Sequence, residues 1–285
     1  MVTRVVSLPV KIVVDSTVGL PPAVIEENDI SVVPIPIQIG DNSYEEDVDI
    51  TREQFYQALL EGKQPLTSQP PPGAFFRVFQ PLVAAGRTII SIQITGRHSG
   101  TVQSARLAAQ MFPGADITVV DSEFISGAMG LLALVAARAA RAGCSKEEIL
   151  KAIEDAKPRT TLLVCVPTLA YLRRSGRVSS VTAAIGDAFS IRIILTMQHG
   201  FLQVATKVRS FRRALERAVT MAEEHAGNAK VQIVILHANA PAAAEEFRKT
   251  VEQRLDVVSS FVSDLGSALA THGGPGMVGL ACLRL

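Results

Sequence analysis

Hydroxyl and imidazole side chains gather in three short stretches of the sequence, where their types and spacing could do chemistry. These are TSQPPPG with Thr67 and Ser68, TGRHSGT with His98 and Ser99, and ATHGGPG with His272. Such donors can hold a carboxylate or a phosphate, and a serine with a histidine can also form a nucleophile and its base. The residue types therefore leave anion binding and covalent catalysis open.

The stretch TGRHSGT lies between an apolar run, TIISIQI, and an amphipathic run, VQSARLAAQM. This order predicts a strand, a turn and a helix, so the free N–H groups of the first helical turn would point the same way as the hydroxyls of Ser99 and Thr101. Such a turn can hold an anion, present a nucleophile or serve only as a helix cap, which is the common role of serine and threonine there.

The other two stretches differ in stiffness. Three prolines fix φ in TSQPPPG, so the loop would present Thr67 and Ser68 in few conformations, although turn hydroxyls often bond only their own backbone. The segment GPGMVG has the spacing of a dinucleotide motif, but we expect no such site because only six residues follow Gly279. We therefore expect His272 in a glycine-rich loop that a ligand could approach closely.

A serine hydrolase is the alternative. Ser99 and His272 could form a triad with a strand-end carboxylate, Asp15 or Asp121. The sequence lacks the G-x-S-x-G signature, because Arg97 stands where its first glycine is required.

The elements expected around these stretches are those of an α/β fold. In the first half, apolar runs such as KIVVD, TIISIQI and DITVV alternate with amphipathic runs and end in hydroxyl or carboxylate residues. The alternation predicts a largely parallel sheet with flanking helices, whose carboxyl ends place these polar residues along one edge. We also expect one irregular edge strand at ISVVPIPIQIG, a helix kinked or shortened at Pro81, and a capping box formed by Thr51 and Gln54.

The second half predicts a different arrangement. Strand-like runs such as TLLVCV, RIILTM and FLQVATKV follow, with helices at LAYLRRSG, SFRRALERAVTMAEEHAG and PAAAEEFRKTVEQRL, and MQHGF predicts a hairpin at Gly200. We expect an α+β domain with a mixed or antiparallel sheet. The chain would then have two domains, at residues 10–157 and 158–285.

Composition argues against several functional classes. The 285 residues carry a net charge of +1 and contain no tryptophan, so the sequence does not indicate a nucleic-acid surface. No apolar run reaches the roughly 18 residues of a membrane-spanning helix, and we expect neither membrane insertion nor a signal peptide. Three scattered cysteines without metal-ligand spacing indicate reduced thiols, no metal site and a cytoplasmic protein.

Two basic clusters stand against this near-neutral background. Their residues are Arg173, Arg174 and Arg177 in YLRRSGR, and Lys207, Arg209, Arg212 and Arg213 in KVRSFRR. Each cluster is either a solvated face or a docking surface for an acidic partner or a phosphate.

Five blocks, in this order and spacing, resemble the DegV family. They are KIVVDSTVGLP, TSQPPPGAF, SGTVQSARLAA, the long block from LAYLRRSGR to VRSFRRAL, and THGGPGMVGLA, which together extend over nearly the whole chain. The resemblance implies a two-domain α/β protein that holds one long-chain fatty acid in a tunnel between its domains. It also implies a bacterial acyl-carrying subunit that needs no cofactor and is not itself an enzyme. A separate ATP-binding kinase subunit would phosphorylate the bound acid for phospholipid synthesis.

The resemblance also implies roles for individual residues. The fatty-acid carboxylate would be held by Thr67, Ser68, Ser99, Gly100 and His272. The residues near the head-group opening and facing the kinase would be Arg177 and Arg209.

The sequence departs from the family pattern at four positions near the implied head group: Pro71, Ala74, Arg97 and His98. The physics of the ligand nevertheless agrees with the residues present. Burying a sixteen-carbon chain gives on the order of 12 kcal/mol of driving force, while the carboxylate resists burial unless it is hydrogen-bonded. A long apolar tunnel closed by a few strong donors meets both demands, which favours anion holding at the Ser99 turn.

Overall fold

The computed structural model describes residues 10–175 and 191–285, so the prediction for Arg177 lies outside the described residues. The strands of this part are β1 Lys11–Asp15, β2 Ile30–Val33, β3 Pro36–Ile39, β4 Asn42–Glu45, β5 Leu66–Thr67, β6 Ile89–Gln93, β7 Ile117–Asp121, β8 Thr160–Val166, β9 Arg192–Gln198, β10 Phe201–Val208, β11 Val231–His237, β12 Val257–Asp264 and β13 Val278–Arg284. Its α-helices are α1 Pro22–Glu27, α2 Arg52–Leu60, α3 Pro72–Ala84, α4 Thr101–Gln110, α5 Ser126–Arg141, α6 Lys146–Ala156, α7 Ala170–Ser175, α8 Phe211–Ala226, α9 Pro241–Glu252 and α10 Ser267–Gly273.

The first half contains the predicted parallel sheet, in the order β2-β1-β6-β7 with every pair parallel. Every residue of β1 and β6 is buried, as expected for central strands covered on both faces. Helices α3 and α4 cover one face and α5 covers the other. The carboxyl ends of β1, β6 and β7 therefore open onto one edge.

The second half contains a mixed sheet of six strands, in the order β10-β9-β8-β13-β11-β12. Only β11 and β12 pair in parallel, and β9 and β10 form the predicted hairpin through Gly200. Helices α8 and α9 cover one face of this sheet. The chain is thus an α/β protein with the two kinds of sheet that the sequence predicts.

Helix α5 packs against both sheets, because two glycines let it approach closely. A Cβ atom on Gly127 would lie 2.9 Å from the Cβ of Val234 in β11. A Cβ atom on Gly130 would lie 2.6 Å from the carbonyl oxygen of Val18, beyond the end of β1. Both distances are too short for a larger residue, so α5 fixes the spacing between the sheets.

Three local predictions need correction. ISVVPIPIQIG forms two strands in different sheets, because Pro34 lies between β2 and β3 and has no N–H to continue a ladder. Helix α3 is not shortened at Pro81, since it continues to Ala84. His272 lies in the last turn of α10 and not in a loop. The capping box of Thr51 and Gln54 is confirmed.

A small antiparallel sheet, in the order β4-β3-β5, lies beside α10. The domain boundary expected between residues 157 and 158 falls in the short 3-10 turn Lys157–Arg159 and stays a prediction. Among the helices of the described residues, none has the length and apolarity to cross a bilayer.

Candidate functional site

The candidate site is an apolar cavity between the carboxyl edge of the parallel sheet and the six-stranded sheet. It contains about 970 Å³ of space, including its opening to solvent. Its apolar wall consists of Ile35, Ile94, Ile125, Val164, Leu172, Leu195, Leu202, Leu265, Ala268, Leu269 and Met277. Its polar lining consists of Thr17, Thr67, Ser68, Gln69, His98, Ser99, Ser126 and His272. The polar groups are few and come from loops and element ends, as in ligand sites with one oriented head group.

One polar corner of the cavity is formed by a bond between the two halves of the chain. Thr67 ends β5, where it pairs with Ile37 of β3. Its Oγ1 lies 2.7 Å from Nε2 of His272, in the last turn of α10. The hydroxyl–imidazole pair therefore depends on how α10 is placed against the small sheet.

The start of α10 is fixed by the buried carboxylate of Glu46, which follows β4 of the same small sheet. Oε1 of Glu46 accepts the Ala268 N–H at 2.8 Å, and the Ser16 hydroxyl donates to Oε2. A Cβ atom on Gly266 would lie 2.6 Å from Oε1, so a residue without a side chain is required there. The small sheet thus holds both ends of α10, Glu46 at the start and Thr67 at the end.

The pKa of Glu46 is unusually high for a carboxylic acid. Complete burial raises the pKa of Glu46 to about 7, against the hydrogen bonds from Ser16 and Ala268 that favour its charged form. Nearby Asp47 raises the pKa further, while Arg52 lowers it. Glu46 does not line the cavity, so its role is to position α10.

The second polar corner is the turn that carries Ser99. Its Oγ lies 2.7 Å from Oγ1 of Thr101 and accepts the Thr101 N–H at 3.2 Å. Gly100 lies at the helix N-cap without a side-chain cap, so Ser99 stabilises the turn from one residue before it. The N-cap is therefore Gly100 and not Ser99 or Thr101, and Ser99 also lines the cavity.

His98 joins this turn to the β9–β10 hairpin. Its Nε2 accepts the Leu202 N–H at 2.8 Å, and Thr95 Oγ1 donates to the Gly200 carbonyl at 2.9 Å. Because a backbone N–H can only donate, Nε2 of His98 carries no proton here. The sequence singles out His98 as part of the TGRHSGT turn and as a departure from the family pattern, but gives no sign of its partner, which is 104 residues away.

The structure brings together most of the residues predicted for the carboxylate. Thr67, Ser68, Ser99 and His272 line the cavity. Gly100 instead lines a neighbouring cleft, and a Cβ atom there would lie 2.6 Å from the Gln69 amide. Arg209 is exposed in the segment after β10.

Sequence reasoning missed three polar residues of the lining: Thr17, Gln69 and Ser126. Ser126 is fully buried at the start of α5, and its hydroxyl has no hydrogen-bond partner within the described structure. The only available signals were that Thr17 and Ser126 follow strands of the parallel sheet and that Gln69 lies within TSQPPPG.

The arrangement does not contain the triad of the hydrolase hypothesis. The Ser99 hydroxyl bonds to Thr101 and to no imidazole. Asp15 accepts the N–H groups of Thr17 and Ile94, and burial raises its pKa. Asp121 accepts the N–H groups of Gly96 and Glu123. Both carboxylates stabilise turns at the sheet edge.

Within residues 10–175 and 191–285, no group of His, Cys, Asp or Glu is placed to hold a metal ion.

Comparison with known proteins agrees with this geometry. A family model described as "Uncharacterised protein, DegV family" matches residues 9–285. The chain belongs to the DegV family. A DegV domain-containing protein of Caldanaerobacter subterraneus, TTE1491, is 34% identical over 272 residues, which are 95% of this chain and 97% of that protein.

Two solved structures have the same fold. A DegV family protein from Thermus thermophilus, described as fatty-acid binding, has a TM-score of 0.91 and 31% identity, over 98% of this chain and 100% of that chain. A stearic acid-binding protein from Eubacterium ventriosum has a TM-score of 0.88 and 26% identity, over 96% and 98% of the two chains. The coverage means that the likeness extends through both sheets.

Proposed function

We propose that this DegV family protein binds one long-chain fatty acid in the cavity, with the carboxylate at the polar corners. The observation that carries the proposal is an apolar cavity whose few polar groups include the Thr67–His272 pair. Similarity to two solved proteins that are described as binding a fatty acid supports the same ligand class.

The hydrogen-bond pattern suits a carboxylate, which can only accept. Thr67 Oγ1 and His272 Nε2 are hydrogen-bonded to each other, and a hydroxyl and an imidazole can both donate to a carboxylate. Either hydroxyl of the Ser99–Thr101 pair can be the donor, and when Thr101 donates to Ser99 Oγ, the Ser99 hydrogen is left for the ligand. Hydrogen bonds from the Thr67 and Ser99 hydroxyls can thus offset the cost of desolvating one carboxylate.

We further propose that the protein presents this carboxylate to a separate ATP-using kinase subunit in the cytoplasm. The support is the resemblance of the sequence blocks to acyl-carrying subunits, together with the absence of a triad among the described groups around Ser99. In this role the chain binds and orients the acid, and the partner supplies the phosphoryl donor. Arg209, exposed after β10, and Arg177 would lie at the contact surface.

The proposal that the protein binds a fatty acid is tested by measuring the affinity of delipidated protein for palmitate and for its methyl ester. Palmitate should bind at least tenfold more tightly than its methyl ester, since the ester removes the charge that the hydroxyls would hold. Equal affinity for the two ligands would show that the polar corners do not hold the head group.

The kinase part is tested by reconstitution. With ATP, palmitate and the kinase subunit, hydroxylamine should trap palmitoyl hydroxamate only when this protein is present. Trapping that proceeds equally without this protein would contradict the presenting role.

A further inference from the structure

Two open clefts adjoin the cavity, each sharing lining residues with one polar corner. One cleft shares Thr67 and His272 with the cavity. The other cleft shares Ser99. A head group held at either corner therefore lies next to a cleft, and the charges of each cleft decide which group it can receive.

The cleft beside Ser99 has balanced charge. Its lining contains the cations Arg97, Arg106 and Lys157 and the carboxylates Asp121, Glu123 and Glu154. Nζ of Lys157 lies 2.8 Å from Glu154 and 3.2 Å from Glu123. The Arg97 guanidinium lies 4.9 Å from the ring centroid of Phe201. A second anion would meet three carboxylates here, so this cleft does not favour one.

The cleft beside Thr67 and His272 is positive, and we call it the outer cleft. Lys63 and Arg174 line it, and no described carboxylate does. The exposed side chain of Lys63 has one surface partner, Glu61, at 3.2 Å, and such a pair is weak because both groups are hydrated.

Arg174 is held in a geometry suited to an oxyanion. Its guanidinium carbon lies 4.7 Å from the ring centroid of Tyr171, so the ring supports one face of the cation. The Tyr171 ring in turn lies against Gly274, where a Cβ atom would come within 2.2 Å of it. Stacking uses the face of the guanidinium and leaves its N–H donors in the plane, where they can contact phosphate oxygens in pairs.

We propose that the outer cleft binds the phosphoryl group of an acyl phosphate formed on the fatty acid, with Lys63 and Arg174 as its ligands. The inference rests on the proposed function. In the transfer, a carboxylate oxygen forms a bond to the γ-phosphorus of ATP. The bond from that phosphorus to its bridging oxygen breaks, and ADP leaves with the electron pair. The product carries more negative charge than the acid, and the outer cleft supplies two cations beside Thr67 and His272.

The test compares two ligands with one tail. The first is palmitate. The second is the β-ketophosphonate in which a methylene group replaces the bridging oxygen of palmitoyl phosphate, so that it cannot hydrolyse. Lys63→Gln and Arg174→Gln should each weaken the phosphonate about tenfold, because each removes a charged hydrogen-bond donor, and leave palmitate within about twofold. Arg212→Gln, at an exposed arginine paired with Glu216 on α8, is the matched control and should change neither affinity.

The outcomes separate the two proposals. Wild-type protein that binds palmitate but not the phosphonate, or variants that bind the phosphonate as wild type does, would overturn the outer cleft as the phosphoryl site. Equal weakening of both ligands would also overturn it, since these residues would then act on the acid itself. Wild-type protein that binds neither ligand would instead overturn the proposed function.

Discussion

The two polar corners of the cavity are built in opposite ways. The Thr67–His272 bond joins residues 205 positions apart, from the small sheet and α10. The Ser99–Thr101 bond joins residues two positions apart within one turn. The first corner exists only when α10 is docked, whereas the second is defined by the strand and helix on either side of it. The long-range corner should therefore be both the stronger determinant of binding and the more easily disturbed.

The largest effect is expected from Thr67→Val, which keeps the shape of the side chain and removes its oxygen. The variant loses a donor to the carboxylate and the partner of His272, so the affinity for palmitate should fall about 10–100-fold. Equilibrium binding to delipidated protein measures this loss.

Thr250→Val is the matched control, because its hydroxyl bonds only to the Glu246 carbonyl within α9. It should bind palmitate as wild type does. An unchanged affinity in Thr67→Val would show that the long-range corner does not hold the head group.

The second prediction concerns Glu46, whose carboxylate accepts the Ala268 N–H at the start of α10. Because burial raises the pKa of Glu46 to about 7, the folded protein holds this proton more tightly than the unfolded chain. The stabilisation from Glu46 is complete below its ordinary pKa of 4.5 and is lost as the pH rises through about 7. Relative to Glu46→Gln, the wild-type free energy of unfolding should fall by about 1–3 kcal/mol between pH 5 and pH 8.

Urea unfolding of both proteins at the two pH values measures that difference. Glu216→Gln, at an exposed carboxylate on α8, serves as the control and should show no comparable change. A difference between wild type and Glu46→Gln that is independent of pH would mean that Glu46 does not titrate in this range.

The smallest effect is expected from Ser99→Ala. The variant removes one donor, but Thr101 Oγ1 lies beside the vacated position and its hydroxyl can turn to the ligand. Palmitate affinity should fall about tenfold or less, and less than in Thr67→Val. A loss larger than that of Thr67→Val would reverse the ranking of the two corners.

The contrast between the corners also explains what the sequence could predict. The Ser99 turn follows from local order, because an apolar run, a hydroxyl-rich turn and an amphipathic run determine strand, turn and helix within about 20 residues. The parallel sheet and the β9–β10 hairpin follow in the same way. Resemblance to the DegV family was needed to group Thr67 and His272, since no periodicity relates them.

The remaining features depend on tertiary contacts that have no local signal. Glu46 accepts a hydrogen bond from the N–H of Ala268, 222 positions away. In the sequence nothing distinguishes Glu46 from the other acidic residues beside it. His98 bonds to the N–H of Leu202, in the other half of the chain. The helix that carries His272 was missed because Gly273 and Gly274 favour a loop, while the contacts of Glu46 and Asp264 with the N–H groups at its start stabilise α10.

The central claim is that the cavity holds a long-chain fatty acid by its carboxylate. The most direct measurement is denaturing mass spectrometry of lipid released from natively purified protein. The account predicts one long-chain fatty acid per protein in wild type and a much lower occupancy in Thr67→Val. A protein that releases no fatty acid, and that takes up none when palmitate is added, would contradict it.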